Sequence, residues 1–116
     1  MESIFINVHN LTVNRNDNKG QLEDLYRILK AEKVEIAKYW DNGDTLWVDE
    51  NGLGNGLEPG THQSYGFEID GESYMGNGLI YGTNRENPEL KDSVATDVWE
   101  LSRKIRFFWV EVETIL

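Results

Sequence analysis

The chain has 116 residues and a mass of 13.4 kDa, a length that builds one hydrophobic core, so residues 1–116 are expected to form a single domain. Hydrophobic residues make up 39% and charged residues 28%, too much apolar material for a disordered chain. The 21 acids against 11 bases leave a formal charge of -10, which argues against direct binding to nucleic acid or to an anionic membrane, and the absence of cysteine excludes disulfides, thiolate metal sites and a cysteine nucleophile.

Ile4, Ile6 and Val8 alternate with Phe5, Asn7 and His9, the period of a strand with two different faces. This opening has no basic region and only a short apolar run, so neither a signal peptide nor a membrane span is expected, and a cytoplasmic location follows. Residues 14–20 are rich in turn formers. Leu22, Leu25, Tyr26, Ile28 and Leu29 then recur at helical spacing, predicting a helix over residues 21–33 with Asp17 or Asn18 as its cap.

Val34, Ile36, Lys38 and Trp40 return to period two, and Asn42-Gly43 supplies a tight turn before residues 45–48, which predicts a hairpin. Residues 49–60 hold four glycines and a proline and read as an exposed loop. Tyr65, Phe67 and Ile69 alternate, Asp70-Gly71 marks a turn, and Leu79, Ile80 and Tyr81 form a short buried strand, giving a second hairpin region. Val94, Val98, Leu101 and Ile105 follow helical spacing after a Ser93 or Asp92 cap, and residues 107–115 alternate with Phe108, Val110 and Val112 on one face. The expected fold is α+β, an antiparallel sheet of five or six strands packed by two helices. Asn-Gly-Leu occurs at Asn51, Asn55 and Asn77, which reads as similar hairpin exits and not as a repeat array.

Charge is unevenly distributed. No Lys or Arg stands between Lys38 and Arg85, a span that holds Asp41, Asp44, Asp49, Glu50, Glu58, Glu68, Asp70 and Glu72. Such a run is either a solvated face or a surface that recognises a basic partner.

Chemical motifs fail on spacing. The glycines of residues 52–60 place Leu57 and Pro59 where a dinucleotide loop needs glycine, and no Gly-Lys-Ser or Gly-Lys-Thr follows. A calcium loop starting at Asp49 would have Leu53 at its fifth position and Gly60 at its twelfth, which excludes an EF-hand. His9 and His62 are too few for a transition-metal site, and Ser64 and Thr61 beside His62 form no nucleophile-base pair. No cofactor, no metal and no enzymatic activity are expected.

Tyr39, Trp40 and Trp47 sit on hairpin strands whose alternation puts Trp47 opposite in face to Leu46 and Val48, leaving either an exposed stacking surface or a face covered by a helix.

Residues 34–57 (VEIAKYWDNGDTLWVDENGLGNGL) and 76–82 (GNGLIYG) resemble a family of uncharacterised small proteins carried by bacteria, plasmids and phages, in which a strand pair ends in an Asp-Glu-x-Gly turn and a later strand is flanked by glycines. The resemblance covers half of the chain and implies a mobile-element setting, where small acidic proteins often counter host defence. It supplies no catalytic residues. The chain departs from that pattern in the insertion at residues 60–74 and in its last strand.

The function expected from these readings is a non-enzymatic counter-defence protein of a phage or mobile element that inhibits a host nucleic-acid-binding defence protein. Its acidic, nucleic-acid-mimicking face would comprise Asp41, Asp44, Asp49, Glu50, Glu68, Asp70 and Glu72 with Trp47. The alternative is a homo-oligomeric sponge for a nucleotide-like immune signal, held by Tyr39, Trp47, Arg85, Arg103, Lys104 and Arg106. A plain structural module is the third reading.

Overall fold

The computed structural model describes residues 1–113 and has an α+β fold. Its elements are β1 (Glu2–Asn7), β2 (Thr12–Asp17), α1 (Leu22–Leu29), β3 (Val34–Tyr39), β4 (Thr45–Asp49), α2 (Gly52–Asn55), β5 (Gln63–Ile69), β6 (Glu72–Met75), β7 (Gly78–Thr83), β8 (Lys91–Asp92), α3 (Val98–Lys104) and β9 (Arg106–Glu111). The six-stranded antiparallel sheet, in the order β2-β1-β7-β4-β3 with β8 added to β7, has the expected size. A second, three-stranded sheet in the order β6-β5-β9 was not anticipated.

Alternation divides the large sheet between two cores. Ile4, Ile6 and Val8 of β1 and its exit, Leu46 and Val48 of β4, and Ile80 of β7 pack against Phe67 and Ile69 of the small sheet and Leu101 and Ile105 at α3. On the opposite face, Leu79 and Tyr81 meet Leu25, Ile28 and Leu29 of α1, with Phe5, Val34 and Trp47 at the margin. The result is α1, the large sheet, and then the small sheet with α3. Strand β7 is covered on both faces, which is why its sequence reads as a continuous apolar run. Each fully buried Ile or Leu contributes about 1.5–3 kcal/mol.

Several boundaries differ from the sequence reading. Helix α1 is capped by Gln21, whose backbone N–H donates to Asp24 Oδ2 at 3.1 Å, and it ends early because Lys30 takes a left-handed conformation at φ 56°. Asp17 instead lies in β2, and Asn18 Oδ1 accepts from Gly20 N and from the Tyr81 hydroxyl. Residues 12–17 form a strand despite their turn-former composition because β2 is a sheet edge. Its exposed side chains need not be apolar.

Helix α3 is capped by Asp97, not Ser93 or Asp92. Asp97 Oδ2 accepts from Glu100 N, while Ser93 Oγ accepts from Glu2 N. The glycine-rich loop contains one short turn of helix, α2. Ile115, the end of the expected last alternation, lies outside the described residues.

The Asn-Gly repeats do follow hairpins: Asn51 and Asn55 come after the β3–β4 pair and Asn77 after the β5–β6 pair. Asn55 leaves α2 and Asn77 precedes β7, and the two are joined, since Asn55 Oδ1 accepts from Asn77 N at 2.9 Å. Asn55 Nδ2 donates to the Leu29 carbonyl and to Asp49 Oδ2, and Asn77 Oδ1 accepts from Val8 N. Gly56 fits beside Asn55 because a Cβ there would stand 2.1 Å from the Tyr65 carbonyl oxygen. Together these side chains tie α1, β4, the α2 loop and β1 into one polar seam.

Candidate functional site

The β3–β4 turn builds the most developed constellation. Trp40 N donates to the Asp44 carbonyl at 2.9 Å and Gly43 N to the Trp40 carbonyl at 3.0 Å, with Gly43 at φ 93°. This tight turn turns Asp44 inward and leaves Asp41 exposed.

The Asp44 side chain is 1% exposed. Its Oδ1 accepts from Ala95 N at 2.8 Å, and its Oδ2 accepts from Thr96 N at 3.0 Å, from the Thr96 hydroxyl and from Asn42 Nδ2. Asp44 therefore anchors the segment that enters α3 and offers no surface to a partner. A carboxylate removed from water is tolerated here because several donors surround it.

On the outer side of the same turn, Trp40 Nε1 donates to Asp70 Oδ2 at 2.9 Å. Asp70 and Gly71 both have positive φ, 53° and 78°, the backbone that a two-residue hairpin turn requires, and this aims Asp70 at Trp40. An open cleft of about 450 Å³ forms here, lined by Trp40, Asp41, Ile69, Asp70, Glu100 and Lys104. Asp41, Asp70 and Glu100 are exposed. Beside it, Lys38 Nζ stands 2.6 Å from Glu72 Oε1 and 5.6 Å from the Trp40 ring centroid.

The Lys38 ammonium, with help from the Tyr74 hydroxyl at 3.0 Å, holds the Glu72 carboxyl below its ordinary range. Burial, followed by the bond to Glu72, pushes the Tyr74 phenol up to about 12. Glu72 is thus already partnered.

The other expected acids lie elsewhere. Asp49 Oδ1 accepts from Asn51 N and its Oδ2 from Asn55 Nδ2, fastening the α2 loop. Glu50 is exposed next to it, at the far end of β4 from the Trp40 turn, about 17 Å away along the strand. Glu68 is half-buried and faces Arg106 across the β5–β9 pair. The seven acids are therefore spread over both ends of a hairpin and a second sheet, and only Asp41, Asp70 and Glu72 gather around Trp40. Glu100 joins them from α3. No sequence spacing pointed to it, because the contact depends on how α3 packs on the sheet.

The set considered for a nucleotide-like ligand is not brought together. Trp47 lies on the α1 face, half-buried, with Nε1 donating to Thr45 Oγ1 at 3.1 Å and Lys91 Nζ at 4.7 Å from its ring centroid. Burial lowers the Lys91 ammonium from its ordinary value. Arg103, Lys104 and Arg106 stand at the α3–β9 junction, on the other side of the large sheet. Arg85 is in the loop after β7, and Tyr39, 72% exposed, is on the β3 edge.

Among the described residues no group of three or more His, Asp or Glu side chains is placed to hold a metal ion, and no helix is long and apolar enough to cross a membrane. At the rim of the Trp40 cleft the carboxylates of Asp41, Asp70 and Glu100 outnumber the one lysine of the lining, Lys104, an excess of negative charge that attracts a guanidinium or ammonium, while the indole is already engaged by Lys38. The chain matches no protein-family model, and no curated protein or solved structure shows significant similarity to it.

Proposed function

We propose that this protein is a non-enzymatic binding protein that docks on a basic surface of a partner protein through the acidic cleft around Trp40. The observation that carries this reading is the convergence of Asp41, Asp70 and Glu100, from three separate elements, on one cleft that Trp40 also lines. Carboxylates held by the scaffold present to a basic groove the field that phosphates would present, and they steer encounter as well as binding. We extend the proposal on the resemblance to small mobile-element proteins expected from residues 34–57 and 76–82: the partner would be a nucleic-acid-binding defence protein of the host, inhibited by occupation of its basic site.

A titration with an oligoarginine peptide, read by calorimetry at low and at physiological salt, tests the chemistry. The variant carrying Asp41→Asn, Asp70→Asn and Glu100→Gln keeps side-chain size, and asparagine tolerates the positive φ at position 70. Loss of three partly screened charge contacts of about 0.5 kcal/mol each should weaken binding about tenfold. Equal affinity of the variant and the native chain would contradict the proposal.

A further inference from the structure

The geometry points to β9 as a homodimerisation edge, pairing antiparallel with β9 of a second copy so that two three-stranded sheets become one of six strands. β9 ends the order β6-β5-β9, and among the described residues no strand pairs with its outer side. The phase of its backbone is fixed. Val112 N donates to the His62 carbonyl at 2.7 Å, one step beyond the Gln63–Glu111 pair, so the even-numbered residues turn their N–H and C=O groups toward β5. Phe107, Trp109 and Glu111 turn theirs outward, where they are free to form a ladder.

β9 also lacks the protections seen on other edges. β3 carries a bulge between Ile36 and Lys38 and two charged residues, Glu35 and Lys38, β2 is polar, and β6 has four residues. β9 instead has four consecutive apolar residues, with Trp109 50% and Val110 37% exposed. Such an edge is a template for another strand.

Charge selects a second copy as the occupant. Arg106 opens β9 just after Arg103 and Lys104 at the end of α3, and Glu111 closes it with Glu113 two residues on, so the strand runs from a cationic to an anionic end. Antiparallel two-fold pairing places each cationic start beside the partner's anionic end, twice. Because outward-facing residues must oppose one another, the axis passes between one residue and its own copy in the partner strand. Exposure rises from Phe107 and Phe108 to Trp109, Val110 and Glu111, so the register centred on Trp109 covers the exposed half. Phe108 then opposes Val110, and Phe107 opposes Glu111.

A strand edge buries less than the roughly 1,600 Å² of a standard interface, so the dimer forms in the micromolar range. Sedimentation equilibrium of the full chain from about 1 to 200 μM, bracketing that range, should show a rise from 13.4 kDa toward twice that mass. Glu111→Pro removes an outward donor without touching the β5 ladder, and Val110→Lys places a charge on the exposed face. With circular dichroism unchanged, each should hold the protein at 13.4 kDa. A native chain that stays monomeric throughout overturns the proposal and leaves the edge to an extended segment of another protein. A dimer that persists in both variants overturns it as well.

Discussion

Asp41 and Asp44 belong to one turn, three residues apart, and do opposite things. Asp44 is enclosed and gathers donors from Asn42, Ala95 and Thr96. Asp41 stands in water at the rim of the Trp40 cleft. The difference teaches that an acid-rich stretch is not one functional unit. Part of it builds the scaffold, and only what the scaffold leaves outside is free to meet a partner. The same division recurs downstream, where Asp49 fastens the α2 loop and its neighbour Glu50 is solvated.

Substitutions should separate the two classes. The largest loss is expected from Asp44→Ala, which leaves two backbone N–H groups and a hydroxyl without their acceptor, a cost on the order of 3 kcal/mol measured by urea unfolding. Asn55→Ala should follow at about 2 kcal/mol, because it frees the Leu29 carbonyl and Asn77 N from the polar seam.

Tyr81→Phe removes the hydroxyl that donates to Asn18 Oδ1 at 2.7 Å and should cost about 1 kcal/mol at neutral pH. This residue also sets an alkaline limit. Burial pushes the Tyr81 phenol up to about 12 from an ordinary 10, so the unfolded chain ionises first; the stabilisation is complete below pH 10 and is lost as the pH rises toward 12. Unfolding midpoints measured across that interval should fall less steeply in Tyr81→Phe than in the native chain. Smallest of all, Asp41→Lys should leave stability within about 0.5 kcal/mol while weakening capture of a cationic peptide.

The sequence made much of the scaffold legible. Ile4, Ile6 and Val8 alternate because one face of β1 meets the small sheet, and the apolar spacing of α1 follows from its packing on Leu79 and Tyr81. The Asn42-Gly43 and Asp70-Gly71 turns were legible from residue type, since positive φ at Gly43, Asp70 and Gly71 restricts what can stand there. Strand β2 was hidden because an exposed edge places no apolar demand on Asn14 or Arg15. Membership of two different sheets was hidden too, because periodicity reports a strand's faces and not its neighbours.

The site was legible only in outline. Asp41 and Asp70 could be named from charge, but Asp44 carries the same label and the opposite role. Its enclosure depends on residues 95 and 96, some fifty positions away in the chain. Trp47 shows the same limit: alternation separated it from Leu46 and Val48, and only α1 decides that its face is covered.

The most direct test of the division is an amide and indole chemical-shift map of the ¹⁵N-labelled protein during titration with oligoarginine. The largest shifts should fall on the Trp40 indole N–H and on residues 40–42, 69–71 and 98–101, with Glu50 and Glu35 little changed. Shifts spread evenly over the exposed acids, or centred away from Trp40, would contradict it.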